Sequence, residues 1–193
     1  GNVINNIYYS ETDSTYFGVS HRYRQVFSWT EKDGYKSLLT IAPFEPFINF
    51  SPFYTDSKKN LWLVTTGGIY RYDRINRKFI FISNPVGKND AVYTVLEEDD
   101  KGDLWVVSYP HGLFHYNAKT SAWNSIPISE EFESRIITSI QFEKKSAQLW
   151  VGSYDYGLHC LNINTGQWRS YGMEANHPRR MHSSLITDLS LDA

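Results

Sequence analysis

The 193-residue chain carries one cysteine, Cys160. No intrachain disulfide can form, and cysteine usage does not fix the redox compartment. In Gly157-Leu158-His159-Cys160-Leu161 that thiol reads as a small buried hydrophobe rather than a reactive group. No run of about 18 apolar residues could span a membrane. No charged and apolar leader opens the sequence. Charge of one sign is also missing: 19 Lys plus Arg face 21 Asp plus Glu, which leaves no electrostatic footprint for nucleic acid or an anionic membrane. There is no Gly-x-Ser-x-Gly elbow and no phosphate-cradling glycine loop. His111, His177 and His182 match no metal-ligand spacing and no cysteine joins them, so neither a metal nor another cofactor is expected. Helical periodicity is absent as well.

Aromatic residues, by contrast, are plentiful. Fourteen Tyr, 11 Phe and 6 Trp make up 16% of the chain, and such residues favour strands. They recur in order. Leu61-Trp62, Leu104-Trp105 and Leu149-Trp150 place their tryptophans 43 and 45 residues apart. An alternating strand precedes each pair and a polar turn separates the two. A Gly-hydrophobic pair then opens a third strand, at Gly68-Ile69, Gly112-Leu113 and Gly157-Leu158. A fourth, aromatic strand follows at Phe79, Trp123 or Trp168. The first unit lacks the Leu-Trp pair but keeps the rhythm, with strands expected from Ile4, at Tyr16 to Val19, Val26 to Trp29 and Leu38 to Thr40. Units begin near Ile4, Ile48, Val92, Ile136 and Leu185.

Four strands per period of about 44 residues is the signature of a β-propeller blade. In Leu104-Trp105-Val106-Val107 both alternating faces are apolar, so the strand must be covered on both sides, as a blade is by its neighbours. The fold class is therefore all-β, with about four four-stranded blades plus the opening strand of a fifth. Blade spans are approximately 1–44, 45–88, 89–132 and 133–184, and 185–193 starts the next. An incomplete ring from a larger propeller is expected rather than a closed four-bladed one. An open ring exposes an apolar blade face, so a homodimer or other self-association through propeller faces is expected.

This topology gathers the 2–3 and 4–1 connections at one end. They contain the more unusual chemistry: His21, Arg22, Tyr109, His111, Tyr154, Asp155 and Tyr156, with Arg179 and Arg180 in the longest connection. Aromatics beside Arg, His and Asp suit a small polar ligand with apolar faces, such as an oligosaccharide. These nine residues form the candidate ligand-binding set. Packing of Tyr109 and Tyr154 on their loops, and solvation of Arg179 and Arg180, are the plain alternatives. Glu97, Glu98 and Glu143 lie at strand ends and are expected in turns.

The unit Asp100-Lys101-Gly102-Asp103-Leu104-Trp105-Val106-Val107-Ser108, continued by Gly112-Leu113-Phe114-His115-Tyr116, resembles the two-component regulator propeller repeat. Leu61 to Ile69 and Leu149 to Ser153 resemble it too. Val64 and Val107 depart from it where it has Gly. The resemblance implies the periplasmic sensor region of a membrane-anchored hybrid two-component sensor histidine kinase of Bacteroides type. It implies oligosaccharide input, a phosphorelay controlling glycan-utilisation transcription, and no catalysis in this segment. A structural or dimerisation module is the alternative, and a glycan lyase or hydrolase the second alternative.

Overall fold

A computed structural model describes residues 6–20, 24–41, 52–88, 91–128, 136–171 and 185–191. All regular structure among them is strand, in four antiparallel four-stranded sheets. The chain divides into two compact units, 1–94 and 95–193.

In the first unit, β1 (Asn6–Ser10), β2 (Thr15–Ser20), β3 (Gln25–Thr30) and β4 (Gly34–Thr40) form one meander. β5 (Phe53–Thr55), β6 (Leu61–Thr65), β7 (Gly68–Asp73) and β8 (Lys78–Ser83) form the next. Every residue of β6 is buried, as a strand apolar on both faces requires. Phe17, Val19, Val26, Phe53, Leu61, Leu63 and Phe79 make the core. The expected start at Ile48 lies outside the described residues. The left-handed residue between β6 and β7 is Gly67, with φ of 84°. Gly68 instead allows close approach: a Cβ there would stand 2.6 Å from the Phe81 ring.

In the degenerate first blade a phenylalanine stands where the later blades carry the tryptophan. In the later sheets Trp62 pairs with Arg71, Trp105 with His115 and Trp150 with Cys160. The corresponding pair in the first sheet is Phe17 with Ser28, and Phe17 and Val19 face a core with Leu61 and Leu63 as Trp105 and Val107 do with Leu149 and Val151. On the other face of the sheet, a Cβ on Gly18 would lie 2.3 Å from Phe27 Cζ, so the phenyl ring covers this glycine. Beside it, Tyr9, Tyr16, Trp29 and Tyr35 stand directly opposite one another across all four strands. All four are between 42% and 55% exposed. Tyr9–Tyr16 and Tyr16–Trp29 ring centroids are 4.8 and 5.7 Å apart, within the range of favourable aromatic pairs.

β9 (Val92–Glu98) opens the third sheet, continued by β10 (Leu104–Tyr109), β11 (Gly112–Asn117) and β12 (Ala122–Ile126). β13 (Ile137–Glu143), β14 (Gln148–Ser153), β15 (Leu158–Asn162) and β16 (Gln167–Tyr171) form the fourth. In the second unit Trp105, Val107, Leu113, Ile140, Phe142, Leu149 and Val151 form the core. Cys160 is buried and free. Burial pushes its thiol pKa up, which disfavours the nucleophilic thiolate.

Residues 185–191, expected as an opening strand, are not paired into a sheet. Ile186 is nevertheless held, its N–H donating to Ser153 O at 2.9 Å and its carbonyl accepting from Thr138 Oγ1.

Candidate functional site

The 2–3 turns of the second unit carry five of the nine expected ligand-binding residues. Tyr109 closes β10 and Tyr154 directly follows β14. Each stands five residues after the leucine of its Leu-Trp pair, so the repeat places the two rings equivalently. They are 37% and 45% exposed. The turn after Tyr109 is tight: Pro110 and His111 lead straight into Gly112, whose φ of 90° suits glycine far better than any L-residue. His111 is half-buried and Asp155 exposed.

Tyr156 plays a different part. It is half-buried, packs against the core of the second unit, and its N–H donates to Ser153 Oγ at 3.0 Å. Ser153 Oγ itself donates to Gly157 O, and Tyr154 N donates to Ile136 O at 2.9 Å. This backbone lacing fixes the turn and leaves the Tyr154 ring in solvent. Tyr156 is thus an anchor of the turn as well as a candidate contact. Tyr109, His111, Tyr154 and Asp155 make no side-chain hydrogen bond with one another among the described residues. His21, Arg22, Arg179 and Arg180 lie outside the described residues.

The opposite, 1–2 turn end holds a set of interactions that sequence reading passed over as ordinary turns. Each tryptophan of the repeat donates its indole N–H to a carboxylate just upstream. Trp62 Nε1 reaches Asp56 at 2.9 Å, Trp105 Nε1 reaches Asp99 at 3.1 Å, and Trp150 Nε1 reaches Glu143 at 3.1 Å. The same acids hold the turns. Asp56 accepts from Asn60 N at 2.7 Å, and Asp99 accepts from Lys101 N and Asp103 N at 2.9 and 3.0 Å. The signal was an acid six or seven residues before each Trp.

In the third sheet the turn gathers ionisable groups. His115 Nε2 lies 3.3 Å from Asp103 Oδ2 and 3.9 Å from Asp99 Oδ2, and its ring packs against Trp105 with centroids 4.5 Å apart and the planes tilted by 42°. Ligand atoms of all three fall within 4.8 Å of one another. Yet Asp99 already accepts three hydrogen bonds, and Asp103 accepts Ala118 N at 2.8 Å. The Asp56 turn makes the same indole clamp with Asn60 and Arg71 in place of Asp103 and His115. The cluster is thus a variant of a structural clamp, in which His115 faces the second buried acid.

Glu97 corrects the expectation that it belongs to a turn. It lies inside β9, and its Oε1 accepts from Gln141 Nε2 at 2.9 Å. Desolvation pushes its pKa up to about 7, reinforced by the charge of Glu98 and opposed by a backbone hydrogen bond from Phe142 and by Lys144. Glu98 is also within β9, and Glu143 ends β13.

No protein-family model and no curated protein sequence matches the chain. Solved structures do. The extracellular domain of BT4673 from B. thetaiotaomicron, assigned as a one component system, aligns with a TM-score of 0.71 and 18% identity, over 92% of this chain and 23% of that one. The extracellular domain of the B. thetaiotaomicron hybrid two component system BT3049 aligns at 0.63 and 16%, over 95% and 23%. Virginiamycin B lyase from Staphylococcus aureus aligns at 0.63 and 11%, over 88% and 55%. The likeness shows a β-propeller fold, and two of these neighbours are extracellular domains of bacterial signalling systems. The chain spans 23% of the length of those two.

Proposed function

We propose that the chain is part of an extracytoplasmic, periplasmic ligand-sensing propeller in a membrane-anchored hybrid two-component system, and that its input is an oligosaccharide. The observation that carries this reading is the likeness to extracellular signalling domains across nine-tenths of the chain. The exposed rings of Tyr109 and Tyr154, held on the 2–3 turns at one end of adjacent repeats, supply the chemistry. Aromatic faces stack on sugar rings, and Asp155 and His111 bond hydroxyls. The signal passes on through kinase and output regions outside these residues. A fold shared with a lyase at 11% identity carries no catalytic residue across, so no turnover is proposed.

The test is a thermal-shift screen against plant and host oligosaccharides. A ligand at about a hundred times its dissociation constant adds roughly 2.7 kcal/mol, a shift of roughly 5–10 °C for a chain of this size. Tyr109→Ala and Tyr154→Ala should remove the selective shift. If neither this chain nor the whole extracellular region responds to any glycan, the oligosaccharide reading fails.

A second reading, an interaction module, is favoured by the exposed ladder of Tyr9, Tyr16, Trp29 and Tyr35. A contiguous aromatic face of this kind marks a surface that other protein covers. Light scattering should show a dimer or larger species that Trp29→Lys dissociates. A monomeric parent chain refutes it.

A further inference from the structure

The first unit contains a cavity of about 170 Å³ at the end of its blades that carries the 1–2 and 3–4 turns. Its existence follows from the degenerate first blade. The place that Asp56 holds in its turn is taken here by Ser10, whose hydroxyl donates to Asp13 at 2.6 Å. With Phe17 in place of the tryptophan, Asp13 has no indole to hold. It takes Arg74 of the β7–β8 turn instead, with Nε and Nη2 at 2.6 and 3.1 Å from its two oxygens. Arg74 Nη2 also donates to Lys59 O at 2.6 Å. From the same turn Arg77 Nη1 reaches Asp33 at 2.9 Å, and Lys36 Nζ lies 3.6 Å from that carboxylate. The cavity opens between these two ion-paired walls.

Its floor is Tyr72, whose ring packs at 4.9 Å on Phe17 and 5.2 Å on Phe79, with the hydroxyls of Thr15 and Ser28 beside it. Three cations (Lys36, Arg74, Arg77) against two carboxylates (Asp13, Asp33) leave one positive charge on the lining. Arg74 is committed to Asp13 and Lys59. Arg77 spends only Nη1 on Asp33, so its remaining N–H donors and the Lys36 ammonium are the cationic groups with capacity to spare. The space is smaller than the roughly 300–1,000 Å³ of drug-sized ligand sites.

We propose that this cavity binds a small sugar acid, a single hexuronate. Its carboxylate sits on Arg77 and Lys36, its hydroxyls bond Asp13, Thr15 and Ser28, and its ring lies on Tyr72. One carboxylate balances the single excess charge, whereas a phosphate dianion would meet Asp13 and Asp33 with a surplus of negative charge at short range. All of its lining residues belong to the first unit, and its chemistry stands whether or not the turns of the second unit bind an oligosaccharide.

Calorimetric titration of the 193-residue chain with D-galacturonate and D-glucuronate tests it, with galactose, glucose and acetate alongside. At least one acid should bind, about tenfold or more tighter than its neutral parent sugar, since a charge-assisted contact is lost in the latter. Arg77→Ala and Lys36→Ala should each weaken the acid by about tenfold. Both side chains are exposed, so the fold tolerates their loss, and unchanged melting of the variants checks this. Tyr109→Ala should leave uronate binding intact, which separates this site from the turn end. No binding of either acid, or binding indifferent to both variants, overturns the proposal. Acetate or the neutral sugar binding as tightly as the acid overturns its assignment to a sugar acid.

Discussion

Glu97→Gln should stabilise the protein at pH 8 and do almost nothing near pH 4.5. Desolvation in β9 raises the Glu97 carboxyl from its ordinary 4.5 to about 7. Between those two values the unfolded chain has released a proton that the folded chain still holds. Stability therefore falls as pH rises. The contribution of the protonated carboxyl is complete below about pH 4.5, declines through the interval, and is gone above about pH 7. A span of roughly 2.5 pKa units at about 1.36 kcal/mol each corresponds to about 3 kcal/mol. Glutamine keeps an oxygen to accept from Gln141 Nε2 and never ionises, so the variant should lack this decline. At pH 8 it should melt roughly 6–12 °C above the parent, taking about 2–4 °C per kcal/mol for a chain of this length. The assay is a set of thermal melts of both proteins across pH 4.5 to 8. A parent-to-variant difference that stays constant over this range would refute the desolvation argument.

Asp99→Ala removes the acceptor of Trp105 Nε1 and of two backbone N–H groups, two of these three donors being buried. A loss of about 3 kcal/mol in urea denaturation is expected, against almost none for the neighbouring exposed Asp100→Ala. Gly18→Ala places a methyl 2.3 Å from Phe27 Cζ, an overpacking worth about 1–3 kcal/mol. Combined with Phe27→Ala, the same substitution should cost far less than it does alone. A purely additive double mutant would show that Phe27 does not fill the space over Gly18.

The blade architecture was open to sequence reading wherever one residue's environment is enough to identify its role. Leu104-Trp105-Val106-Val107 is apolar on both alternating faces, so it had to be an interior strand, and it is. What escaped are features that depend on two positions at once. The Phe27 ring fills the space over Gly18, and only the strand register shows that the two stand opposite each other. Asp56, Asp99 and Glu143 looked like turn formers because their indole partners sit on the far side of a bend. Glu97 looked like a turn residue because a carboxylate inside a strand makes physical sense only once its desolvation and Gln141 are known. Tyr156 was grouped with Tyr154 by adjacency, yet its ring packs on the core while Tyr154 remains in solvent. Asp13 and Arg74 are 61 residues apart, and nothing in the local sequence couples them.

The indole clamp has an evolutionary corollary. Three copies of the repeat keep an acid beside the bend, engaged by a ring donor. In the first copy phenylalanine and serine stand in those two places, and the turn's own acid, Asp13, is held by Ser10 and by Arg74 of the adjoining copy. A copy relieved of the clamp can thus turn its bend to cross-blade pairing. New recognition chemistry can arise in such a protein at one bend, with the propeller scaffold left unchanged.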